Sequence, residues 1–350
     1  MARRAARASL PRLSGTVTIA GGGLAGLALA AGLRLRDVPV VVHEAGSYPR
    51  HRVCGEFISG VEDSTLADLG IRAAFEDARR HRGVAWFREG RKIHDDTLPA
   101  AALGISRHRL DLRLRNRVIE LGGIVHERSR LPREPREGQI WAAGRIPRPG
   151  PWIGLKCHFE DLEMAADLEM HLGADGYAGL AGIEDGRVNV CGLFKVDRSR
   201  RKQGPELLHD YLGAGGNATL VDRLRAARAD KASFSAVAGF ELGHQQSEPG
   251  LCVIGDAESM IPPFTGNGMS MAFQSAELAL APLASWSRGE SDWHECRERI
   301  QRGLRRRFNR RLQVASALHP VLLHRAGGSF IEALSHAGIL PFKPLLSLVR

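Results

Sequence analysis

Apolar positions change their spacing twice near the start of the chain. Thr16 to Ala20 is a short uncharged run rich in β-branched residues and reads as a short buried strand. After a cluster of glycines, small and apolar residues from Leu24 to Leu35 recur at helical spacing. Val38-Pro39-Val40-Val41-Val42-His43-Glu44 then reads as a second buried strand that ends on an acid. Strand, helix, strand in this order predicts a βαβ unit with its two strands parallel. The lead-in competes with that reading. Arg3, Arg4, Arg7 and Arg12 precede an uncharged stretch from Leu13 to Leu33, the layout of a signal peptide or a membrane anchor. Six of those residues are glycine, and a removed leader gives no reason for the strand that follows, so the βαβ unit is preferred.

Downstream, Trp152-Ile153-Gly154-Leu155-Lys156-Cys157-His158-Phe159 alternates like a strand, placing Lys156 and His158 on one face and Cys157 on the other. Tyr177 to Ile183, Val188 to Val196 and Ser233 to Leu242 read as further strands, with Asp185-Gly186 as the hairpin turn between the first two. Leu131 to Gln139 offers only a Pro/Arg/Glu loop. Leu251 to Ala257 is a buried strand running into Gly-Asp, and Ser270 to Leu283 is helical. From Trp293 to Leu318 the chain is helical and basic, and Pro320 is expected to break that helix. The tail from Val321 to Arg350 carries Phe330, Ile331, Leu334, Ile339 and Phe342 but is too interrupted to span a bilayer. It would cap a pocket, pack on the first domain or rest on a membrane surface beside the basic helix. Internal contact is the default among the three.

Two glycine-rich segments carry chemistry. Gly21-Gly22-Gly23-Leu24-Ala25-Gly26 satisfies G-x-G-x-x-G inside the βαβ unit. Gly21 permits the tight turn, Gly23 lets the backbone approach a pyrophosphate, and Gly26 lets the helix lie close on the sheet. The helix N-terminus, with the N–H groups around Leu24 and Ala25, then faces the phosphates. Glu44, 18 residues beyond Gly26, can accept the ribose hydroxyls. The second segment starts at Gly255-Asp256-Ala257 and continues through Pro262-Pro263-Phe264-Thr265-Gly266-Asn267-Gly268-Met269 into a helix. A carboxylate at a strand end suits a ribityl chain, and the helix start offers N–H groups to the electron-rich edge of an isoalloxazine. A nicotinamide dinucleotide alone would account for the first segment but leaves the second unexplained.

Composition narrows the class. With 350 residues, 43% hydrophobic and 25% charged, the chain is neither disordered nor collagen-like nor a multi-span membrane protein. The net charge of +10 comes from 43 Arg against 6 Lys, scattered along the chain and interleaved with 39 acids. Only Arg297 to Arg311 forms a dense block, and no nucleic-acid reader motif accompanies it, so solvated helix faces are the reading and no nucleic-acid partner is expected. Cys54, Cys157, Cys191, Cys252 and Cys296 are odd in number, widely spaced and without a Cys-x-x-Cys pair. That pattern supports neither a disulfide framework nor a metal site, and it fits a reducing, cytoplasmic setting with peripheral contact to a membrane left open.

The N-terminal G-x-G-x-x-G…Glu with a distal Gly-Asp-Ala…Pro…Gly-x-Gly resembles the FAD-dependent oxidoreductase superfamily of aromatic hydroxylases (flavoprotein monooxygenases) and geranylgeranyl reductases, from about Thr16 to Leu283. The resemblance implies an α/β fold with α+β elements: a Rossmann-like FAD-binding domain over residues 14–150 and 246–285, a β-sheet substrate domain over 151–245, and a helical C-terminal region over 286–350. It implies FAD with Gly21, Gly23, Leu24, Ala25, Gly26 and Glu44 at the adenosine end. Gly255, Asp256, Pro263, Gly266, Asn267, Gly268 and Met269 would lie near the ribityl chain and ring. Arg50-His51-Arg52-Val53-Cys54-Gly55-Glu56 matches the stretch where the superfamily carries an arginine and often a Cys-Gly near the flavin, which nominates Arg52, Cys54 and Gly55. Arg107-His108-Arg109-Leu110-Asp111 is similar to its Arg-x-x-Leu/Phe-Asp helix start and nominates Arg107.

The reaction is less sharply marked. Thr265-Gly266-x-Gly268 and Cys54-Gly55 resemble the reductase branch, yet Tyr177-Ala178-Gly179-Leu180-Ala181-Gly182 lacks its Trp and Phe-Pro. The hydroxylase branch usually has a His after Gly-Asp-Ala, where this chain has Glu258, and an Asp-Gly motif that is missing around Trp141 to Arg145. No Trp-x-Trp-x-Ile-Pro of the halogenases occurs. Hydroxylation of a small hydrophobic aromatic or polyketide-like substrate with NAD(P)H as reductant is favoured. Saturation of isoprenoid double bonds and a flavin-binding protein without turnover remain alternatives. Lys156 and His158 are the catalytic candidates, as a cation and an imidazole able to bind a phenolate or supply a proton; two polar residues on a solvent-facing strand is the competing reading.

Overall fold

The computed structural model describes residues 15–350, so the basic positions Arg3, Arg4, Arg7 and Arg12 lie outside the described residues. β1 (Val17–Ala20), α1 (Leu24–Arg34) and β2 (Val40–His43) form the expected βαβ unit, with β1 and β2 parallel and Val17 opposite Val40. Continuous apolar runs make these strands because both of their faces are covered. α1 is buried from Leu24 to Leu33, and Gly32 lets Leu280 approach where a side chain would stand.

The chain then supplies β3 (Phe57–Ile58), α2 (Asp63–Asp68), β4 (Arg79–Arg88), β5 (Arg91–Gly104) and α3 (Arg107–Glu120). Next come β6 (Ile124–His126), β7 (Gln139–Trp141), β8 (Trp152–Glu160), β9 (Leu168–Gly173), β10 (Gly176–Gly182) and β11 (Val188–Lys195). α4 (Pro205–Ala214), α5 (Ala218–Ala226), β12 (Arg228–Ala238), β13 (Gly243–His244), β14 (Cys252–Val253) and β15 (Ser259–Met260) follow. The chain ends in α6 (Gly268–Ser287), α7 (Trp293–Leu323), α8 (Arg325–His336) and α9 (Phe342–Leu348). Among the described residues no helix is long and apolar enough to cross a membrane.

Five strands form a parallel sheet in the order β14-β7-β1-β2-β6, which brings the second glycine-rich segment two strands from the first. Eight strands form the larger sheet, β12-β8-β11-β10-β9-β4-β5-β3, antiparallel except for β4 against β9. Alternation in β8 is as expected: Leu155, Cys157 and Phe159 join a core cluster with Leu208, Leu212 and Leu224 of α4 and α5, leaving Lys156 and His158 on the opposite face. At the β10–β11 turn both Asp185 (φ 59°) and Gly186 (φ 72°) are left-handed, the conformation a tight hairpin demands.

Three sequence expectations are corrected. The larger sheet does not start near residue 151, because β3, β4 and β5 from the 14–150 segment pair into it. β4 and β5 hide from a pattern search because charged residues crowd both faces and only scattered positions such as His81, Val84, Ile93 and Leu98 are buried. The strand expected over Ser233 to Leu242 is β12, which begins and ends earlier and shifts register between Asp230 and Ser235. Pro320 does not break its helix. α7 runs three residues past it, with His319 and Leu322 buried on either side and the His324 N–H closing the last turn on the Pro320 carbonyl.

Candidate functional site

The first glycine segment divides into two packed positions and one open one. Gly21 has φ 111°, and a side chain there would meet the backbone of Ala142 and Ala143 within 2.5 Å. A Cβ on Gly26 would stand 2.0 Å from the Gly21 carbonyl oxygen. Gly23 differs: a Cβ there meets nothing closer than the Arg107 guanidinium, at 3.9 Å. Among the described residues no side chain caps α1 and its first turn holds no acid, which leaves the N–H groups of Leu24, Ala25 and Gly26 free to meet an anion. Leu24 and Ala25 contribute backbone only, since their side chains are buried.

Glu44 lies at the end of β2 with both carboxylate oxygens engaged. Oε2 accepts the Gly22 N–H at 2.9 Å, and Oε1 accepts the Gly46 N–H at 2.8 Å and Arg50 Nη2 at 3.1 Å. Burial raises its pKa, and the Gly46 N–H with Arg52 and Arg50 reverses that and leaves it below the ordinary value. A ribose at this carboxylate has to displace Arg50, whose half-exposed side chain can swing away.

The second segment meets the first. A Cβ on Gly255 would stand 2.9 Å from Cβ of Ala25. Asp256 is accessible to solvent, yet burial among protein atoms raises its carboxyl pKa against the pull of Arg107 and Arg145. A residue can be wetted and surrounded at once only in a recess. Arg107 stands over this recess at the start of α3, fixed by a bidentate ion pair to Asp111 (2.7 and 2.9 Å), and Arg52 donates to the same carboxylate at 3.1 Å. Burial opposes the charge on Arg107, and Asp111 more than offsets it. Asp111 is 1% exposed and was quoted in the sequence only as part of the helix-start pattern; it anchors both arginines.

Gly55 and Gly268, like Gly23, leave open the position a Cβ would take. Cys54 is half-buried beside Gly55, with burial raising its thiol pKa. Pro263 is exposed and Gly266 half-exposed on the turn before α6, whereas Asn267 and Met269 are buried. Asn267 donates from Nδ2 to the Val349 carbonyl rather than capping α6, so its N-terminus is uncapped as well, and the Met269 side chain belongs to the core. The residues present therefore fit a dinucleotide flavin: the uncapped start of α1, the open positions at Gly23 and Gly55 and the recessed Asp256 carboxylate lie around Arg107, and α6 offers a second uncapped start.

Lys156 and His158 are not on a solvent-facing strand; both are 0% exposed. Their partner is Glu56, also 0% exposed, which accepts from His158 Nε2 at 2.6 Å and lies 3.3 Å from Lys156 Nζ. Sequence reasoning quoted Glu56 and His51 without assigning them, because nothing local links the loop after β2 to β8. Beside this face lies an aromatic group. His319 stacks on Phe264 (6.0 Å between ring centres) and meets Tyr177 and Trp152 edge-on. Burial pushes the His319 pKa down to about 4. A separate cavity of about 290 Å³, walled by Phe87, Met164, His171, Leu220 and Arg223, shares none of these residues.

No known family model matches the chain, and no curated protein matches it in sequence. Solved structures do match its fold. A probable FAD-dependent monooxygenase, PqsL from Pseudomonas aeruginosa, is 16% identical over 90% of this chain and 98% of its own, with a TM-score of 0.70. The p-nitrophenol 4-monooxygenase PnpA from Pseudomonas putida DLL-E4 is 15% identical over 97% and 99%, TM-score 0.73. A geranylgeranyl bacteriochlorophyll reductase-like protein from Thermoplasma acidophilum is 17% identical over 96% of each chain, TM-score 0.73.

Proposed function

We propose that this chain is an FAD-dependent oxidoreductase that uses NAD(P)H to hydroxylate a small hydrophobic aromatic or polyketide-like substrate. The observation that carries the reading is the uncapped α1 N-terminus and the open Gly23 beneath Arg107, with the recessed Asp256 carboxylate beside the same arginine. The fold it shares with flavoprotein monooxygenases supports the same reading. FAD bound there supplies hydride acceptance and oxygen activation, chemistry for which the protein needs no nucleophile of its own.

The residues divide the remaining work. Backbone N–H groups of α1 hold the pyrophosphate, and the α6 start stabilises negative charge at the ring edge. Arg52 and Arg107, held still by Asp111, keep positive charge over the recess. The flat rings of Trp152, Tyr177, Phe264 and His319 suit a planar substrate. Saturation of an isoprenoid double bond is the second reading, favoured by the open position at Gly55 beside Cys54.

The test starts from the absorbance spectrum of the purified protein, with FAD added, followed by anaerobic NAD(P)H and candidate substrates in air. Product heavier by one oxygen atom supports hydroxylation, and product heavier by two hydrogens shifts the assignment to saturation. A bound flavin that NADH and NADPH both fail to bleach, while dithionite succeeds, would make the chain a flavin-binding protein without turnover. Absence of any flavin spectrum overturns the whole reading.

A further inference from the structure

Five ionisable side chains from three distant segments meet on the inner face of the larger sheet. Glu56 accepts three donors: His158 Nε2 at 2.6 Å, the Arg107 N–H at 2.9 Å and, from 3.3 Å, Lys156 Nζ. Burial raises the Glu56 pKa, and the His158 hydrogen bond and Lys156 charge bring it below the ordinary value, so it is ionised. An ionised carboxylate is acceptor-only, which places a proton on His158 Nε2; in a neutral ring Nδ1 then carries the lone pair. Among the described residues that Nδ1 is buried without a hydrogen-bond partner, and so is Oδ1 of Asn189, its neighbour across β8 and β11. Asn189 Nδ2 donates to the Cys54 carbonyl at 3.0 Å, which puts these two unsatisfied atoms beside the recess.

The other end of the cluster reaches water. Lys156 Nζ is 3.3 Å from His51 Nδ1, and the His51 ring stacks on His108 at 4.5 Å. Both imidazoles are half-exposed. Burial, then the Lys156 charge, pushes the His51 pKa down to about 4, so its ring is neutral and can accept from the ammonium. Arg187 and Glu184 face His108 from the β10–β11 turn, and Cys54 and Cys191 flank the inner end. Burying a lysine, a histidine and a glutamate together is costly where apolar residues of similar volume would do.

We propose that His51, Lys156, Glu56 and His158 conduct protons between solvent at His108 and the inner end of the recess. As these hydrogen bonds lie, His158 Nδ1 takes a proton from the recess while its Nε2 proton passes to Glu56 and on to Lys156. Lys156 gives one to His51 Nδ1, and His51 releases its Nε2 proton to solvent; inward delivery is the same chain run back from the resulting Nδ1–H tautomers. No electron and no heavy atom moves. The use made of that proton rests on the redox reading above. Hydroxylation converts substrate, oxygen, NAD(P)H and one proton into hydroxylated product, water and NAD(P)+. Saturation converts a double bond, NAD(P)H and one proton into the saturated product and NAD(P)+. Either balance takes up one proton, and a substrate seated in the recess would bar water from delivering it directly.

The experiment is exchange of the His158 Nε2 proton with water, read by NMR on the full-length protein labelled with 15N-histidine and requiring no turnover. The conduit makes this proton exchange readily although its side chain has no exposed surface. His51→Phe, at a half-exposed position, is expected to slow the exchange by about tenfold or more with the backbone amide spectrum and Tm unchanged. Lys156→Met, which cuts the path in the middle, is expected to slow it similarly. A slow exchange already in the unaltered protein, or an exchange rate indifferent to His51→Phe, overturns the proposal. If the exchange responds as stated but no flavin binds, the redox reading fails and the conduit stands; flavin turnover with an indifferent exchange rate is the reverse case.

Discussion

At the scale of single residues, the difference between Gly23 and its neighbours gives the sharpest forecast. A side chain at Gly21 or Gly26 collides with backbone, whereas one at Gly23 points into open space. Gly23→Val is expected to abolish FAD binding while leaving Tm within a few degrees of the parent; a full flavin spectrum on the purified variant would remove the pyrophosphate from this place. Asp111 offers a stability counterpart. Asp111→Ala leaves Arg52 and Arg107 without their shared carboxylate, and urea denaturation is expected to show a loss of about 3 kcal/mol. The residues visible in the sequence were those whose role is local. A glycine's place in a turn is written in its neighbours, but Lys156 and His158 share a loop residue about a hundred positions away, and His158 faces a cross-strand asparagine. No spacing rule connects them.

Among the elements, β1, α1 and β2 could be read because they are short, almost without charge and mostly buried, with α1 buried from Leu24 to Leu33. The β4–β5 hairpin could not. Charged residues stand on both of its faces, several with partners of their own, as in Lys92 with Asp95 and Arg88 with Glu332 of α8, which leaves no two-residue period to detect. α7 shows the opposite error, in which a strong local rule was overruled. Pro320 forfeits a helix hydrogen bond at an exposed position, and burial of His319 and Leu322 holds the helix in spite of it. Pro320→Ala is accordingly expected to stabilise the protein by about 1 kcal/mol in chemical denaturation, the regained helix hydrogen bond outweighing the freer denatured chain. No change, or a loss, would mean that the proline sets a bend needed by α8.

For the whole molecule, pH is the natural probe. Burial raises the pKa of Glu169, and the hydrogen bonds from His171 and Arg223 bring it down to about 2 from 4.5. A depressed carboxylate stabilises the fold above the unfolded value, and that contribution disappears as pH falls from about 4.5 toward 2. His319 and His51, both lowered to about 4 from 6.5, act earlier: the unfolded chain binds their protons first, so stability declines as pH falls from 6.5 toward 4. For His319 alone the loss at pH 5 is about 2 kcal/mol. Tm measured across this range is expected to fall in two stages, and His319→Phe is expected to shrink the first. An unaltered first stage in that variant would mean that its imidazole is charged in the folded protein.

The path of the chain between the two sheets has a consequence for how such a molecule can change over time. It leaves the parallel sheet after β2, returns at β6, leaves again after β7 and comes back at β14. Neither sheet is a continuous stretch of gene. A recombination event that exchanged one of them would have to rejoin four junctions in register, and a protease that nicked any connection would leave fragments still held to each other by strand pairing. Diversification of this architecture is thereby confined to substitution in place and to growth at loops such as the one between β6 and β7. The recess and the sheet that covers it are inherited together.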